Sequence, residues 1–229
     1  MGVKGWHQRH GSAKDTPNVL LKCHLMIKLL NSLPLFYLIA LIPGRFAIWG
    51  LFDDSWYYAQ MMYESGVWSV RFLLITIAIT PVLFLLSRLG QGKTLGRWLL
   101  QRRRHFGLVS FVYAVIHLAH YTLETANLED MWLDVFGIDF ATGWLAFIVF
   151  ALLAVTSNNA SVRRLGRAWK SLHFWIYPAI ALTFVHWYLF DRFTERVLFW
   201  LALFVGVKLL HGLLKSLRRA HVSSEKNLS

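Results

Sequence analysis

Six long apolar stretches, separated by polar connections, run through most of this 229-residue chain. Their approximate bounds are 29–48, 70–87, 105–123, 142–157, 171–190 and 197–214. An α-helix of about 20 residues crosses the hydrocarbon core of a bilayer, and each stretch is near that length. No acidic residue falls within any of the six. The pattern therefore predicts an all-α, polytopic membrane protein built as a bundle of six transmembrane helices.

The composition supports a membrane protein and excludes several other classes of protein. The chain is 56% hydrophobic and only 16% charged, and its mean hydropathy is +0.46, which is too apolar for an ordinary soluble domain. Its single cysteine, Cys23, excludes a disulfide scaffold and any cysteine-rich zinc or iron–sulfur site. The sequence has no CxxCH, so it carries no covalently attached c-type haem.

The basic residues are distributed unevenly, and this distribution predicts the topology. The segments 1–28, 88–104, 157–170 and 215–229 hold 19 of the 24 basic residues but two of the twelve acids. Excess Lys and Arg mark cytosolic loops, so both termini are expected in the cytosol and no nucleic-acid partner is needed to explain the charge. We divide the chain into a basic cytosolic tail (1–28), a six-helix domain (29–214) and a second basic tail (215–229). The first tail has no apolar core of its own, so we expect it not to be a cleaved signal peptide.

Histidines are the polar residues that remain to be explained within the spans. His117 lies in the third span and His186 in the fifth. At 1.5 Å per residue, they lie about 20 Å and about 25 Å from the predicted cytosolic ends of their helices. Two imidazoles at similar depth on different helices can fill both axial positions of a haem iron. A single histidine that only hydrogen-bonds a neighbouring helix is the alternative for each.

Other residues are weaker candidates. His173 lies near the cytosolic face, where His105 matches its depth, so a second haem held by this pair is geometrically plausible. His120 lies one turn from His117 and could exchange roles with it as ligand or supporting partner. Arg71 opens the second span, where it is either an ordinary interfacial arginine or the partner of a haem propionate or a quinone headgroup.

Three stretches resemble a known family. They are GVWSVRFLLITIAITP (66–81), RRHFGLVSFVYAVIHLAHY (103–121) and LGRAWKSLHFWIYPAIALTFVHWY (165–188). In these stretches the chain is similar to the MsrQ (YedZ) family, haem-binding membrane subunits of a bacterial methionine sulfoxide reductase system within the ferric-reductase-like transmembrane superfamily. His117, His173 and His186 match the family's motif histidines, whereas His105 and His120 do not.

The resemblance implies a multi-pass protein of the bacterial inner membrane that carries one b-type haem, or two. It implies that electrons pass from a cytosolic flavin reductase or a membrane quinol to a periplasmic molybdopterin-containing methionine sulfoxide reductase, which repairs oxidised envelope proteins. FMN and quinone are further candidate cofactors. The chain would be an electron-transfer subunit of an oxidoreductase system, with no substrate chemistry of its own.

The sequence leaves two other classes of function open. One is a stand-alone ferric or quinone reductase of the same superfamily, with the same haem pair and another acceptor. The other is a membrane transporter without haem, whose histidines tie helices together or carry metal ions. A proton-coupled transporter is disfavoured because the spans lack the carboxylates that such proteins use.

Overall fold

A computed structural model describes residues 32–49, 58–88, 93–125, 127–191 and 194–228. The predicted N-terminal tail, 1–28, lies outside these ranges. Two compact units are distinguished, residues 1–43 and 44–229, and the candidate site described below belongs to the second. None of the described residues forms a β-strand, so the expected all-α class is confirmed for this part of the chain.

The described residues form ten α-helices in chain order. These are α1 (Leu33–Leu41), α2 (Arg45–Trp49), α3 (Tyr58–Arg88), α4 (Lys93–Thr125), α5 (Leu128–Asp134), α6 (Ile138–Val155), α7 (Asn159–Leu165), α8 (Arg167–Phe174), α9 (Ile176–Phe190) and α10 (Thr194–Leu228). A short 3-10 turn, Ile42–Gly44, connects α1 to α2.

Four helices are long and apolar enough to cross a membrane by length and composition. They contain Ala59–Leu85, Gly96–Thr125, Ile138–Val155 and Thr194–Leu217. The coarse prediction of several membrane-spanning helices is therefore confirmed. The segments predicted as the first and fifth spans are interrupted, by the turn after α1 and by a break at Trp175 between α8 and α9.

Two helices extend well beyond their predicted bounds, because they include polar residues that were assigned to connections. Helix α3 begins at Tyr58 rather than near 70. Each of the four candidate spans is wide enough to include one acid, and these acids are Glu64, Glu124, Asp139 and Glu195. Ser65 fits because its hydroxyl donates back to the carbonyls of Met61 and Met62, both at 2.9 Å. Helix α4 similarly extends back over the predicted connection to Lys93, since Lys and Arg are good helix formers.

The connections that flank α6 also form short helices. Asn127 caps α5 by accepting a hydrogen bond from the backbone N–H of Glu129 at 2.9 Å. Asn158 caps α7 by accepting from the N–H of Ser161 at 2.8 Å. Gly166, with φ +51°, turns the chain between α7 and α8, a conformation that glycine adopts without strain. Helix α10 continues through the predicted C-terminal tail to Leu228.

The helices pack as two main pairs, α3 along α4 and α6 along α9, with α10 also against α3 and α9. Polar contacts join the first pair at mid-length: Ser69 Oγ donates to the Ser110 carbonyl at 2.9 Å, and Ser110 Oγ donates to the Ser69 carbonyl at 2.8 Å. The buried core unites α3, α6, α9 and α10 and includes Val70, Phe150 and Phe184.

Helix α6 shows the side-chain pattern of a lipid-facing helix. One face, with Thr142, Ala146, Phe150 and Leu153, is buried, while the opposite face exposes Leu145, Ile148, Leu152 and Val155. Such a row of exposed large apolar side chains is unfavourable in water and is covered by acyl chains in a bilayer.

Candidate haem-binding site

The two histidines predicted to share a ligand meet between the two main helix pairs. His117 projects from α4 and His186 from α9, with ring centroids 6.1 Å apart and ring planes at 87°. Each residue therefore comes from a different helix pair. The sequence places His117 and His186 at similar depth on two helices, and in the structure their rings lie next to one another.

Each imidazole is anchored through the same nitrogen. His117 Nδ1 lies 2.8 Å from the carbonyl oxygen of Met62, and His186 Nδ1 lies 2.7 Å from the carbonyl oxygen of Asp139. A carbonyl only accepts, so both Nδ1 atoms carry a proton, and in the neutral imidazole each Nε2 atom is then unprotonated. Among the described residues, neither Nε2 has a hydrogen-bond partner.

This pair fits the axial ligand set of a haem. An unprotonated Nε2, with the other nitrogen bonded to a backbone carbonyl, is the form in which histidine binds metals. The ring centroids are 6.1 Å apart, so the two imidazoles are close enough to bind one group together. Phe190, with its ring 5.0 Å from that of His186, contributes apolar surroundings.

The described residues contain no group of three or more His, Cys, Asp or Glu side chains placed to hold a metal ion. A site made from protein ligands alone needs at least three such donors. A porphyrin supplies four equatorial nitrogens, so two imidazoles complete its coordination. The donor set therefore fits a haem better than a bare metal ion.

His173 is placed apart from this pair, on α8. Its Nε2 lies 3.1 Å from Thr156 Oγ1, and its ring stacks on Trp169 with centroids 4.0 Å apart. Trp169 Nε1 in turn donates to the Thr156 carbonyl at 3.0 Å. The two side chains thus hold α8 against the end of α6.

His105 and His120 lie on α4, on either side of His117. His105 precedes His117 by twelve residues, a rise of about 18 Å, so it is remote from the ring pair. His120 is completely buried, and its Nε2 bonds the carbonyl oxygen of Ala47 at 2.7 Å. The structure therefore shows His120 as a contact between α4 and α2.

Arg71 lines a separate cavity between α3, α9 and α10. Its guanidinium lies 4.3 Å from the Trp68 ring and 5.7 Å from the Trp200 ring. The cavity, of about 400 Å³, is also lined by Tyr63, Glu64, Val67, Trp187, Glu195, Arg196 and Phe199. Aromatic walls with a few charged groups suit a flat, partly polar molecule. The sequence did not single out Tyr63, Glu64 or Trp187, because each is unremarkable outside this arrangement.

Comparison with known proteins identifies the class. Residues 65–184 match the model of the ferric reductase like transmembrane component. The chain therefore belongs to the ferric reductase-like transmembrane family. The matched segment contains Arg71, His117 and His173 and ends two residues before His186.

The chain is also similar to curated proteins from Brucella. The chain is 36% identical over 127 residues to a protein-methionine-sulfoxide reductase heme-binding subunit MsrQ of Brucella anthropi, with 54% of each chain covered. It is 39% identical over 124 residues to MsrQ proteins of Brucella ovis and Brucella suis, covering 53% of this chain and 52% of theirs. The predicted resemblance to the MsrQ family is confirmed. The alignment spans about half the length of these curated relatives, and no solved structure matches the chain.

Proposed function

We propose that this chain transfers electrons across the bacterial inner membrane through b-type haem held by His117 and His186. The observation that carries the proposal is the pair of rings 6.1 Å apart, each with Nδ1 bonded to a backbone carbonyl. The relatives named as heme-binding subunits support the same cofactor. In this proposal the fold has six spans, both termini are cytosolic, and the histidine pair lies in the periplasmic half of the bilayer.

When bound, the haem supplies the one-electron chemistry, because its iron changes between ferric and ferrous states. The chain's own residues determine the rest. His117 and His186 would hold the haem iron through their imidazoles, and this ligation would discourage oxygen binding. The Met62 and Asp139 carbonyls fix the tautomer and orientation of these ligands. The apolar helices exclude water and thereby contribute to the redox potential.

The acceptor in this proposal is a periplasmic, molybdopterin-containing methionine sulfoxide reductase, and the donor is a cytosolic flavin reductase or a membrane quinol. His173 is kept as a candidate site residue because of the distance that electrons must travel. It precedes His186 by 13 residues, a rise of about 20 Å. A second centre near His173, either haem or FMN, would divide a gap that is long for a single transfer. Arg71 is retained as a residue of a quinone-binding or propionate-binding site.

A stand-alone ferric or quinone reductase is the second candidate function, and the match to the ferric reductase family model favours it. It requires the same histidine pair but a different acceptor. Reduced protein mixed with methionine sulfoxide reductase from the same bacterium distinguishes the two functions. Rapid haem oxidation is expected for the first candidate, whereas oxidation by ferric chelates or quinone alone indicates the second.

The cofactor itself is tested by pyridine haemochrome quantification per polypeptide. Wild-type protein is compared with His117→Ala, His173→Ala and His186→Ala after expression with sufficient haem and iron. We expect complete loss of pigment in the first and third variants, and partial or no loss in His173→Ala. Full haem content in either His117→Ala or His186→Ala would contradict the proposal. A colourless wild-type protein would instead support the transporter without haem.

A further inference from the structure

A hydroxyl residue followed by glycine occurs beside each of the two facing imidazoles. Ser65 and Gly66 lie on α3, and Thr142 and Gly143 lie on α6. Neither of these helices carries a proposed iron ligand. Both hydroxyl residues are buried within the membrane-spanning part of the chain.

On α3, one backbone oxygen receives two side-chain donors. The Met62 carbonyl accepts from His117 Nδ1 at 2.8 Å and from Ser65 Oγ at 2.9 Å. The single hydroxyl proton of Ser65 is shared with the Met61 carbonyl, also at 2.9 Å. Ser65 is three residues after Met62, and Gly66 is four residues after it. In a regular helix, the N–H of Gly66 is the donor that this same carbonyl faces.

The arrangement on α6 repeats this pattern. The Asp139 carbonyl accepts from Thr142 Oγ1 at 2.9 Å and from His186 Nδ1 at 2.7 Å. Thr142 and Gly143 again follow at positions three and four. The segments Met62–Gly66 and Asp139–Gly143 therefore share one local design, although they lie on different helices and differ in sequence elsewhere.

The glycines make this approach of the rings to the helix backbone feasible. A Cβ atom on Gly143 would lie 2.7 Å from both Nδ1 and Cε1 of His186. A Cβ on Gly66 would lie 3.0 Å from Nδ1 of His117. Nonbonded carbon contacts are favourable near 3.5–4.0 Å, so alanine at either position pushes the imidazole away from its carbonyl.

We propose that Ser65–Gly66 and Thr142–Gly143 are paired positioning elements that set the orientation and donor strength of the two haem ligands. This inference rests on the proposed function of His117 and His186. The glycine admits the ring, and the carbonyl four residues earlier fixes Nδ1. The hydroxyl residue shares that carbonyl and so limits how strongly it accepts from the imidazole.

The shared carbonyl has a consequence for the redox potential. A carbonyl oxygen has two lone pairs, and here a hydroxyl and an imidazole N–H compete for them in addition to the helix N–H. Without the hydroxyl, the carbonyl accepts more strongly from Nδ1–H, which raises the basicity of the ligand. A more basic imidazole favours ferric over ferrous iron, so the midpoint potential falls.

The hydroxyl is tested by redox titration of the haem in purified Thr142→Val and Ser65→Ala proteins. Valine has nearly the shape of threonine and carries a methyl group in place of the hydroxyl. We expect both variants to bind haem and to have lower midpoint potentials than wild type. The matched control Thr142→Ser keeps a hydroxyl and should retain the wild-type potential. Unchanged potentials in both Thr142→Val and Ser65→Ala would overturn the role given to the hydroxyls.

The glycines are tested by haem affinity of Gly143→Ala and Gly66→Ala. We expect losses on the order of 10–100-fold, as for other residues that support metal ligands, with the larger loss in Gly143→Ala. Alanine is otherwise favoured over glycine in a helix, so general helix weakening cannot explain such a loss. Gly107→Ala is the control on α4, where a Cβ would meet only Thr76 at an ordinary 3.7 Å. Gly206→Ala is a second control, because no atom lies within 4 Å there.

Failure of this inference can be separated from failure of the proposed function. Suppose that the wild-type protein binds haem and that both histidine variants lose it. Unchanged haem affinity and midpoint potential in both glycine variants would then refute the positioning role and leave the proposed function intact. If wild type binds no haem, the proposed function fails first. Should an alanine variant not yield folded protein by size-exclusion chromatography, the potentials of Thr142→Val and Thr142→Ser still decide the question.

Discussion

Replacing His120 by leucine tests whether His120 has a structural role while His117, on the same helix, is the haem ligand. His120 lies three residues after His117, and its Nε2 bonds the Ala47 carbonyl at 2.7 Å. Both His120 and Ala47 are almost completely buried. The substitution removes this bond between α4 and α2 and leaves the carbonyl of Ala47 without that donor. It does not alter the contact of His117 with Met62.

The expected loss of stability is calculated from the hydrogen bond between His120 and Ala47. Hydrogen bonds between membrane helices contribute about 0.6 to 2 kcal/mol, and a buried acceptor left unpaired costs about 1 to 3 kcal/mol. Leucine is close to histidine in size, so only a small cavity term is added. We expect His120→Leu to lower the free energy of unfolding by about 1 to 2 kcal/mol.

Two assays on the same preparation decide the matter. Thermal or denaturant unfolding in detergent should show the lower stability, with recovery in His120→Gln, whose amide can donate to Ala47. Pyridine haemochrome quantification should show wild-type haem content in folded His120→Leu protein. Loss of haem from folded His120→Leu, together with full haem in His117→Ala, would refute the reasoning and exchange the roles of the two residues.

Three further predictions concern polar groups within the bundle. Ser69→Ala should lower stability by about 0.6 to 2 kcal/mol in detergent unfolding, because it removes the bond to the Ser110 carbonyl. Ser110→Ala should cost about the same in either background, because its Oγ donates separately to the backbone carbonyl of residue 69 at 2.8 Å. Lys208→Met should lower stability by about 0.5 to 2 kcal/mol without changing the haem spectrum, since the ammonium bonds the Tyr177 hydroxyl at 2.6 Å and lies 4.2 Å from its ring. Arg71→Gln should retain full haem content but slow haem reduction by quinol several-fold in stopped-flow measurements, and a large loss of haem would assign this arginine to a propionate.

Much of the membrane architecture was predictable because helix rise is constant. Apolar length alone indicated an all-helical membrane protein, and the described residues contain four helices that meet the requirement. The sequence also placed His117 and His186 at similar depth, since depth depends only on residue number along each helix. The bounds were less predictable, because Ser65 and Glu64 lie within α3 and not in a connection.

The contacts of Lys208 could not be predicted from the sequence of its own helix. A lysine in a membrane helix can extend its long side chain to the membrane surface. The structure instead gives it a partner on α9, the hydroxyl of Tyr177. Which of the two happens depends on the rotation of α10 and its register against α9, which the apolar pattern of α10 does not specify.

The amino-acid sequence by itself determined the class of protein, the apolar segments and the level of the two facing histidines, because hydropathy and helix rise are local properties. Only the tertiary structure decided that their rings face one another, that His120 bonds Ala47, and that the Met62 and Asp139 carbonyls anchor the pair. These features depend on how each helix is rotated and aligned against its neighbours. That rotation is set by packing between residues far apart in the chain, such as Gly143 against His186.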